Sequence, residues 1–368
     1  MAYHEKTTTA LLFGLAIFAI GCFWYLGPQL SPPPVSPVVS SESDGTTTAS
    51  TTNPTGTTSP EIASSTELNG LTTPTTPLPS VSDRTTDSRV TSASVLSNMH
   101  LTFADEFTSF SRYTDSKGNI TCEPGGVGTW QTVYHFCSRT IPSNFEAEIY
   151  IDQNFLDYLA QSTGNTTAAT SPFTISNSIL NIEAKPADAV ITKAAGAWAK
   201  YTSGLITTQF SFAQQYGYFE MRAQMPAGSG LWPAFWLLPV DKSWPPEIDV
   251  MEAFGGKNSN HEGGVTSIHY ASHTVKKGGL CGDWHDVGVD ITKGFHTYGV
   301  NWQPDTITYF FDGVAYATCP GNGDANQPFY LLVNLAVGSS ASWPGSPSAA
   351  TPWPAVMQVD YVRAYQTN

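Results

Sequence analysis

Glu247, Asp249 and Glu252 fall within one short stretch, PPEIDVMEAFGG (residues 245–256), in a chain of which only 12% is charged. Carboxylates this close repel one another, and among apolar residues they lose hydration, so one of them is pushed to keep its proton at neutral pH. An ionised carboxylate to attack an anomeric carbon, beside a protonated one to release the leaving group, is the equipment of a retaining glycosidase. In a regular strand Glu247 and Asp249 share a face, and Glu252 points into the core with Ile248 and Val250, which is costly. One extra residue, a β-bulge near Val250 or Met251, turns Glu252 onto the face of the other two. The outer two Cα atoms then lie about 13 Å apart at ~3.3 Å per position. Inward-leaning Glu side chains reach the ~5–5.5 Å carboxyl separation of a retaining site. Asp249, between them, is placed to hydrogen-bond the nucleophile and make the two glutamates unequal. A solvated acidic strand face or a calcium site is the plainer reading of E-x-D-x-x-E taken alone.

The elements that must hold these acids read as strands. In YGYFEMRAQMP (216–226) Phe219, Met221, Ala223 and Met225 alternate with Tyr218, Glu220, Arg222 and Gln224, one face for a core and one for a polar surface or wet cleft. The preceding TSGLITTQFSFAQQ also alternates, which predicts a hairpin turning at 214–217. TITYFFDGVAYATC carries Asp312-Gly313 between two β-rich runs, a strong hairpin signal. GLWPAFWLLP (230–239) is apolar on both faces, so it is either buried on both sides or has one face in an aromatic cleft. Trp232 and Trp236 share a face and offer flat surfaces to pyranose rings, although core packing explains either one as well. Helical periodicity is hard to find. The fold class expected is all-β, a sandwich or barrel.

The bulk numbers set limits. Thirty Asp+Glu against 16 Lys+Arg give a net charge of -14 over 368 residues, which argues against a nucleic-acid partner. ALLFGLAIFAIGCFWYLG (10–27) has 18 uncharged positions, about the minimum for a membrane span. An uncleaved anchor, a cleaved signal peptide and a lipoprotein attached at Cys22 are the competing readings of residues 1–30. Each puts the rest of the chain outside the cytoplasm, membrane-anchored or secreted. Residues 31–94, rich in Ser, Thr and Pro, read as a disordered linker. One large domain, residues 95–368, follows. Its four cysteines, Cys122, Cys137, Cys281 and Cys319, suggest disulfides, with Cys122–Cys137 and Cys281–Cys319 the simplest of three pairings.

PPEIDVMEAFG resembles the active-site strand of family 16 glycoside hydrolases in its bulged form. LTFADEF, SGLITTQFSFAQQYGYFEMRAQMP, GLWPAFWLLP, NLAVGS and VDYVRAY extend the likeness over most of the folded part. It is strongest to laminarinases and bacterial exopolysaccharide β-glucanases. The resemblance implies a β-jelly-roll of two antiparallel sheets with a cleft across one. It implies Glu247 as nucleophile, Asp249 as its assistant and Glu252 as acid/base. It also implies that Glu220, Arg222, Trp232, Trp236, His269, Asn334 and Trp343 meet the substrate. Asp360 matches a ligand of a structural calcium on the far side; catalysis needs no cofactor. The sequence departs from the family at SSA in NLAVGSSASWPG and over 115–181, a long stretch that could form loops closing or extending the cleft.

The activity expected is endo-hydrolysis of β-1,3 or mixed β-1,3/1,4 glucans with retention, by a monomer whose partner is a polysaccharide. Another β-glycan such as a galactan, or transglycosylation, is the alternative among enzymes. A non-catalytic glycan-binding jelly roll is the alternative of another class, and it leaves the second glutamate without a purpose.

Overall fold

The computed structural model describes residues 90–274, 279–321 and 323–368. The expected anchor and nearly all of the expected linker lie outside the described residues. The chain is packed from Val90, a few residues earlier than the expected boundary. Val90 O accepts from Ala315 N, and Ser92 N donates to Gly313 O.

The described strands are β1 (Met99–Asp105), β2 (Glu148–Tyr150), β3 (Phe173–Ser176), β4 (Ile179–Pro186), β5 (Tyr201–Ser203), β6 (Leu205–Thr207), β7 (Gly217–Gln224) and β8 (Leu231–Pro239), followed by β9 (Glu247–Glu252), β10 (Ser267–Thr274), β11 (Gly279–Asp286), β12 (His296–Trp302), β13 (Thr306–Phe311), β14 (Val314–Pro320), β15 (Phe329–Val337) and β16 (Ala355–Thr367). They form two sheets. One runs β11-β10-β9-β8-β15-β6 and carries the acidic strand. The other runs β14-β13-β12-β7-β16-β4-β5-β2, with β1 on β16 and β3 on β4. Pairing is antiparallel except for β2 with β5.

The sheets are held together by the alternating apolar residues. Phe219 and Met221 of β7 meet Phe235 and Leu237 of β8, Ile248 and Val250 of β9, and Leu331 and Val333 of β15 in one buried cluster. This non-directional burial is the main stabilising term. The other face of β8 has its own small cluster, in which Ala234, Trp236 and Leu238 join Ile141, Tyr330 and Leu332. One face of GLWPAFWLLP thus lies in the inter-sheet core, and the other is partly covered by Ile141 and partly lines a cleft.

The Asp312-Gly313 hairpin forms between β13 and β14, with both turn residues at positive φ, 46° and 75°. The hairpin expected at 214–217 does not form. β6 pairs with β15 in one sheet, whereas β7 lies between β12 and β16 in the other. The segment between them is a crossover: Thr208 still bonds β15 through Leu331, and its Oγ1 donates to Phe212 O, turning the chain out of the sheet. At its end Gly217, φ 119°, lies so close to Tyr365 O that a Cβ there would meet it at 2.1 Å.

A helix at Gln153–Thr163 went unrecognised in the periodicity. Asp152 caps it by accepting from Phe155 N at 2.8 Å, and Gly164 ends it in the left-handed conformation. The Cys122–Cys137 and Cys281–Cys319 disulfides both form. Among the described residues no helix is long and apolar enough to cross a membrane.

Candidate active site

β9 lies between β8 and β10, and its register on both sides contains the bulge. Asp249 pairs with Trp236 and Glu252 with Ala234, so three steps on β9 face two on β8. On the other side Asp249 pairs with Ala271 and Glu252 with His269. The extra residue falls at Val250–Met251, whose side chains are both buried in the core. Glu252 therefore shares a face with Glu247 and Asp249. All three line a cleft of about 580 Å³ with Trp232, Trp236 and Asn334.

Each acid is held differently. Glu252 Oε1 accepts from Trp232 Nε1 at 3.0 Å, and its Oε2 lies 3.0 Å from His269 Nδ1. Glu247 Oε2 accepts from Trp244 Nε1 at 3.1 Å. Asp249 Oδ2 lies 3.1 Å from His273 Nε2, and the same nitrogen is 3.6 Å from Glu247 Oε1. Burial, and then the charge of Asp249, push Glu247 well above the usual carboxylate range, with His273 and the Trp244 N–H pulling it back. Burial and the charge of Glu252 push Asp249 up as well. Two carboxylates so placed share a proton. Asp249 is the more enclosed of the two, at 4% exposed.

The aromatic residues divide into a floor and a wall. Trp236 is 7% exposed, its Nε1 donates to Asn334 Oδ1 at 2.8 Å, and Tyr134 stacks over it at 6.0 Å. Trp236 is thus the floor, and Tyr134 supplies a ring above it. His269 and Trp343 stand on the Glu252 side, His269 against its carboxylate. Trp343 packs edge-on against Trp232 and His269 at 5.8 and 4.9 Å, and its Nε1 donates to Glu262.

Two residues expected in the cleft lie elsewhere. Glu220 and Arg222 project from β7, in the other sheet, away from the inter-sheet core. Glu220 accepts from Tyr218 and Tyr361 hydroxyls, both at 2.8 Å, and Arg222 pairs with Asp360. Alternation assigned them correctly to a polar face, but alternation carries no information about which sheet owns that face. Asp360 has its carboxylate on the Arg222 guanidinium.

The segment 134–150 brings residues that no motif marked: Tyr134, His135, Asn144 and Glu146 all line the cleft. Burial and the Lys242 charge push His135 down to about 4, so it is neutral. Glu146 accepts from Ile141 N and from Asn144 Nδ2, at 3.0 and 3.2 Å. Behind it lies Glu148, fully buried, whose Oε2 accepts from Val337 N at 2.8 Å. Burial raises both carboxyls above their usual range, and Glu146 raises Glu148 further. Tyr150 OH lies between Glu146 Oε2 and Asn334 Nδ2 (3.3 and 3.1 Å), linking this acid pair to the Trp236 floor. The alternating acids in FEAEIYID were the one sequence signal for it. His273 and Trp244 carried none, because a lone His and an exposed Trp are common anywhere.

Residues 160–363 match the family model described as Glycosyl hydrolases family 16. The chain is 38% identical over 270 residues to the endo-1,3-1,4-beta-glycanase ExsH of Rhizobium meliloti (strain 1021), covering 73% of this chain and 52% of that one. It is 35% identical over 205 residues to the glucan endo-1,3-beta-glucosidase A1 of Niallia circulans, covering 51% and 30%. The chain spans about half the length of the first curated relatives it matches. Among solved structures, the laminarinase catalytic domain from Thermotoga maritima MSB8 superposes with a TM-score of 0.56 at 25% identity, over 74% of this chain and 99% of that one.

Proposed function

The chain belongs to glycosyl hydrolases family 16, and from that premise we propose that it is a retaining endo-β-glucanase acting on β-1,3 or mixed β-1,3/1,4 glucans. The observation that carries the reading is the bulge at Val250–Met251, which brings Glu252 onto the face of Glu247 and Asp249 in an aromatic cleft. A glycan-binding protein has no use for that arrangement. The relatives named as glucanases support the substrate class.

Glu247 attacks the anomeric carbon and forms a glycosyl ester as the C–O bond to the leaving sugar breaks. Glu252 gives its proton to that leaving oxygen. Water then enters, Glu252 takes its proton, the hydroxyl bonds to the anomeric carbon, and Glu247 leaves as a carboxylate. Two inversions give net retention. Asp249, protonated, hydrogen-bonds Glu247 and keeps the attacking carboxylate distinct from the acid.

The enzyme is proposed to work outside the cytoplasm, since the two disulfides favour an oxidising compartment. Residues 1–30 are proposed to tether it or direct its export, and the substrate-bearing unit to be a monomer.

The test is release of new reducing ends from laminarin, lichenan, cellulose and agarose by the wild-type chain and by Glu247→Gln. Release from laminarin or lichenan by the wild type alone supports the reading. No release from any of them, with binding to one retained, sinks it.

A further inference from the structure

Glu247 is hydrogen-bonded at one oxygen and faced by a ring nitrogen at the other. Trp244 Nε1 donates to Oε2 at 3.1 Å, and His273 Nε2 stands 3.6 Å from Oε1 and 3.1 Å from Asp249 Oδ2. The two rings are 5.9 Å apart, so they close over the same carboxylate.

The placement of His273 is built into the sheet. It sits directly opposite Glu247 in the β9–β10 ladder, and Ala271 sits opposite Asp249. Directly opposed residues of antiparallel strands share a face, with Cβ atoms ~4.5–5.5 Å apart. The bulge lies further along, between His269 and Ala271 on this side, so it re-aims Glu252 and leaves the His273–Glu247 register regular. Trp244 comes instead from the segment leading into β9. Its ring is 64% exposed while its N–H points inwards.

An attacking carboxylate in this setting needs both. It is buried and faces two further acids, and it must stay ionised with one oxygen directed at the sugar. Carboxylate oxygens offer no hydrogens when ionised, so the nitrogen facing them carries one. Among the described groups that face the imidazole, Glu247 and Asp249 from β9 are acids that share a proton, and Trp244 is neutral. Asp324, on the segment before β15, is held by Thr274 Oγ1 at 2.8 Å.

We propose that His273 and Trp244 are positioning residues for Glu247: the His273 N–H is shared between Asp249 and Glu247 and ties the pair together, and the Trp244 N–H fixes the other oxygen. This rests on Glu247 being the nucleophile.

The full chain is assayed as wild type, His273→Ala, His273→Gln and Trp244→Phe. Steady-state rates on the hydrolysed β-glucan are measured across pH, and the rate at which a 2-deoxy-2-fluoro β-glucoside labels Glu247 is followed by mass. His273→Ala should lose about ten-fold or more in kcat and in labelling rate, the scale of a lost hydrogen bond to a charged group, with KM changed less than two-fold. Its acidic limb should move to higher pH, because a group that favours the ionised nucleophile is gone. His273→Gln, which keeps an N–H, should recover part of the rate. Trp244→Phe, outside the ladder, should slow labelling without loss of thermal stability. If His273→Ala and Trp244→Phe both label and turn over within two-fold of wild type with an unmoved pH profile, the proposal is overturned. Losses confined to KM overturn it as well. A wild type that neither labels at Glu247 nor cleaves any β-glucan overturns the nucleophile reading itself, a distinguishable result.

Discussion

Trp236 and Asn334 are joined across β8 and β15 by a 2.8 Å hydrogen bond from the indole Nε1 to the amide Oδ1, at the floor of the cleft. Both are buried, at 7% and 4% exposed. Asn334→Ala strands the indole N–H and leaves the Tyr150 hydroxyl with Glu146 alone. A cost of about 1–3 kcal/mol is expected for each buried group left unsatisfied. The loss should appear as a lowered denaturant midpoint with an unchanged m-value. It should also appear as a raised KM, because the floor under Tyr134 loosens. Wild-type stability in this variant would show that the bond contributes nothing.

Glu247→Gln keeps the shape and removes the attacking charge. Turnover should fall by at least ~10³-fold, with melting temperature equal to or above that of the wild type, since a buried acid is replaced by a neutral amide. A residual rate within ten-fold of normal would exclude Glu247 as the nucleophile.

Glu252→Ala removes the proton donor but leaves the nucleophile. Substrates with good leaving groups should still form the glycosyl-enzyme, and azide should replace water in the second step. A β-glycosyl azide product is the expected outcome, detected by mass. An α-product would contradict retention.

Glu148→Gln addresses the buried acid pair behind the cleft. Burial and Glu146 raise the Glu148 pKa in the folded chain. An acid raised on folding contributes stability that is full below its unfolded value and is lost as pH rises through its folded value. The wild type should therefore lose stability as pH rises from about the ordinary Glu range of ~4.3. Glu148→Gln should flatten that decline and gain most at neutral to alkaline pH. Thermal melts at several pH values test this, and parallel curves would refute it.

Deletion of Met251 removes the bulge and leaves E-x-D-x-E, in which strand alternation alone keeps Glu252 on the face of Glu247 and Asp249. The variant should fold and retain measurable activity on the same substrate. A folded but inactive deletion variant would mean that the bulge does more than choose the face of Glu252.

Much of the site was legible in six residues because strand geometry has a fixed period of two. Any chain that places E-x-D-x-x-E in a strand with apolar residues between must bury Glu252 or insert a residue, and the structure inserts Val250–Met251. The Asp312-Gly313 turn and the two apolar faces of 230–239 were readable for the same local reason. The helix at 153–163 was readable only through its caps, Asp152 and Gly164, since its apolar positions are few.

The tertiary structure alone decided which faces meet. Alternation gave Glu220 and Arg222 a polar face but not a sheet, because a period of two is the same in both layers, and the crossover at 208–217 sent them to the far one. The same limit hid His273 and Trp244. His273 becomes a neighbour of Glu247 through the register of β9 with β10, and Trp244 through the path of the chain into β9. Neither relation is a matter of spacing along the sequence. Glu146 and Tyr134 reach the cleft because the 134–150 segment is laid over β8 and β15, where burial of Ile141 against Trp236 and Leu332 pays for its ordering. The residue types and their local period determined the chemistry available to this protein, and non-local packing, which sequence distance does not encode, determined the partners that tune it.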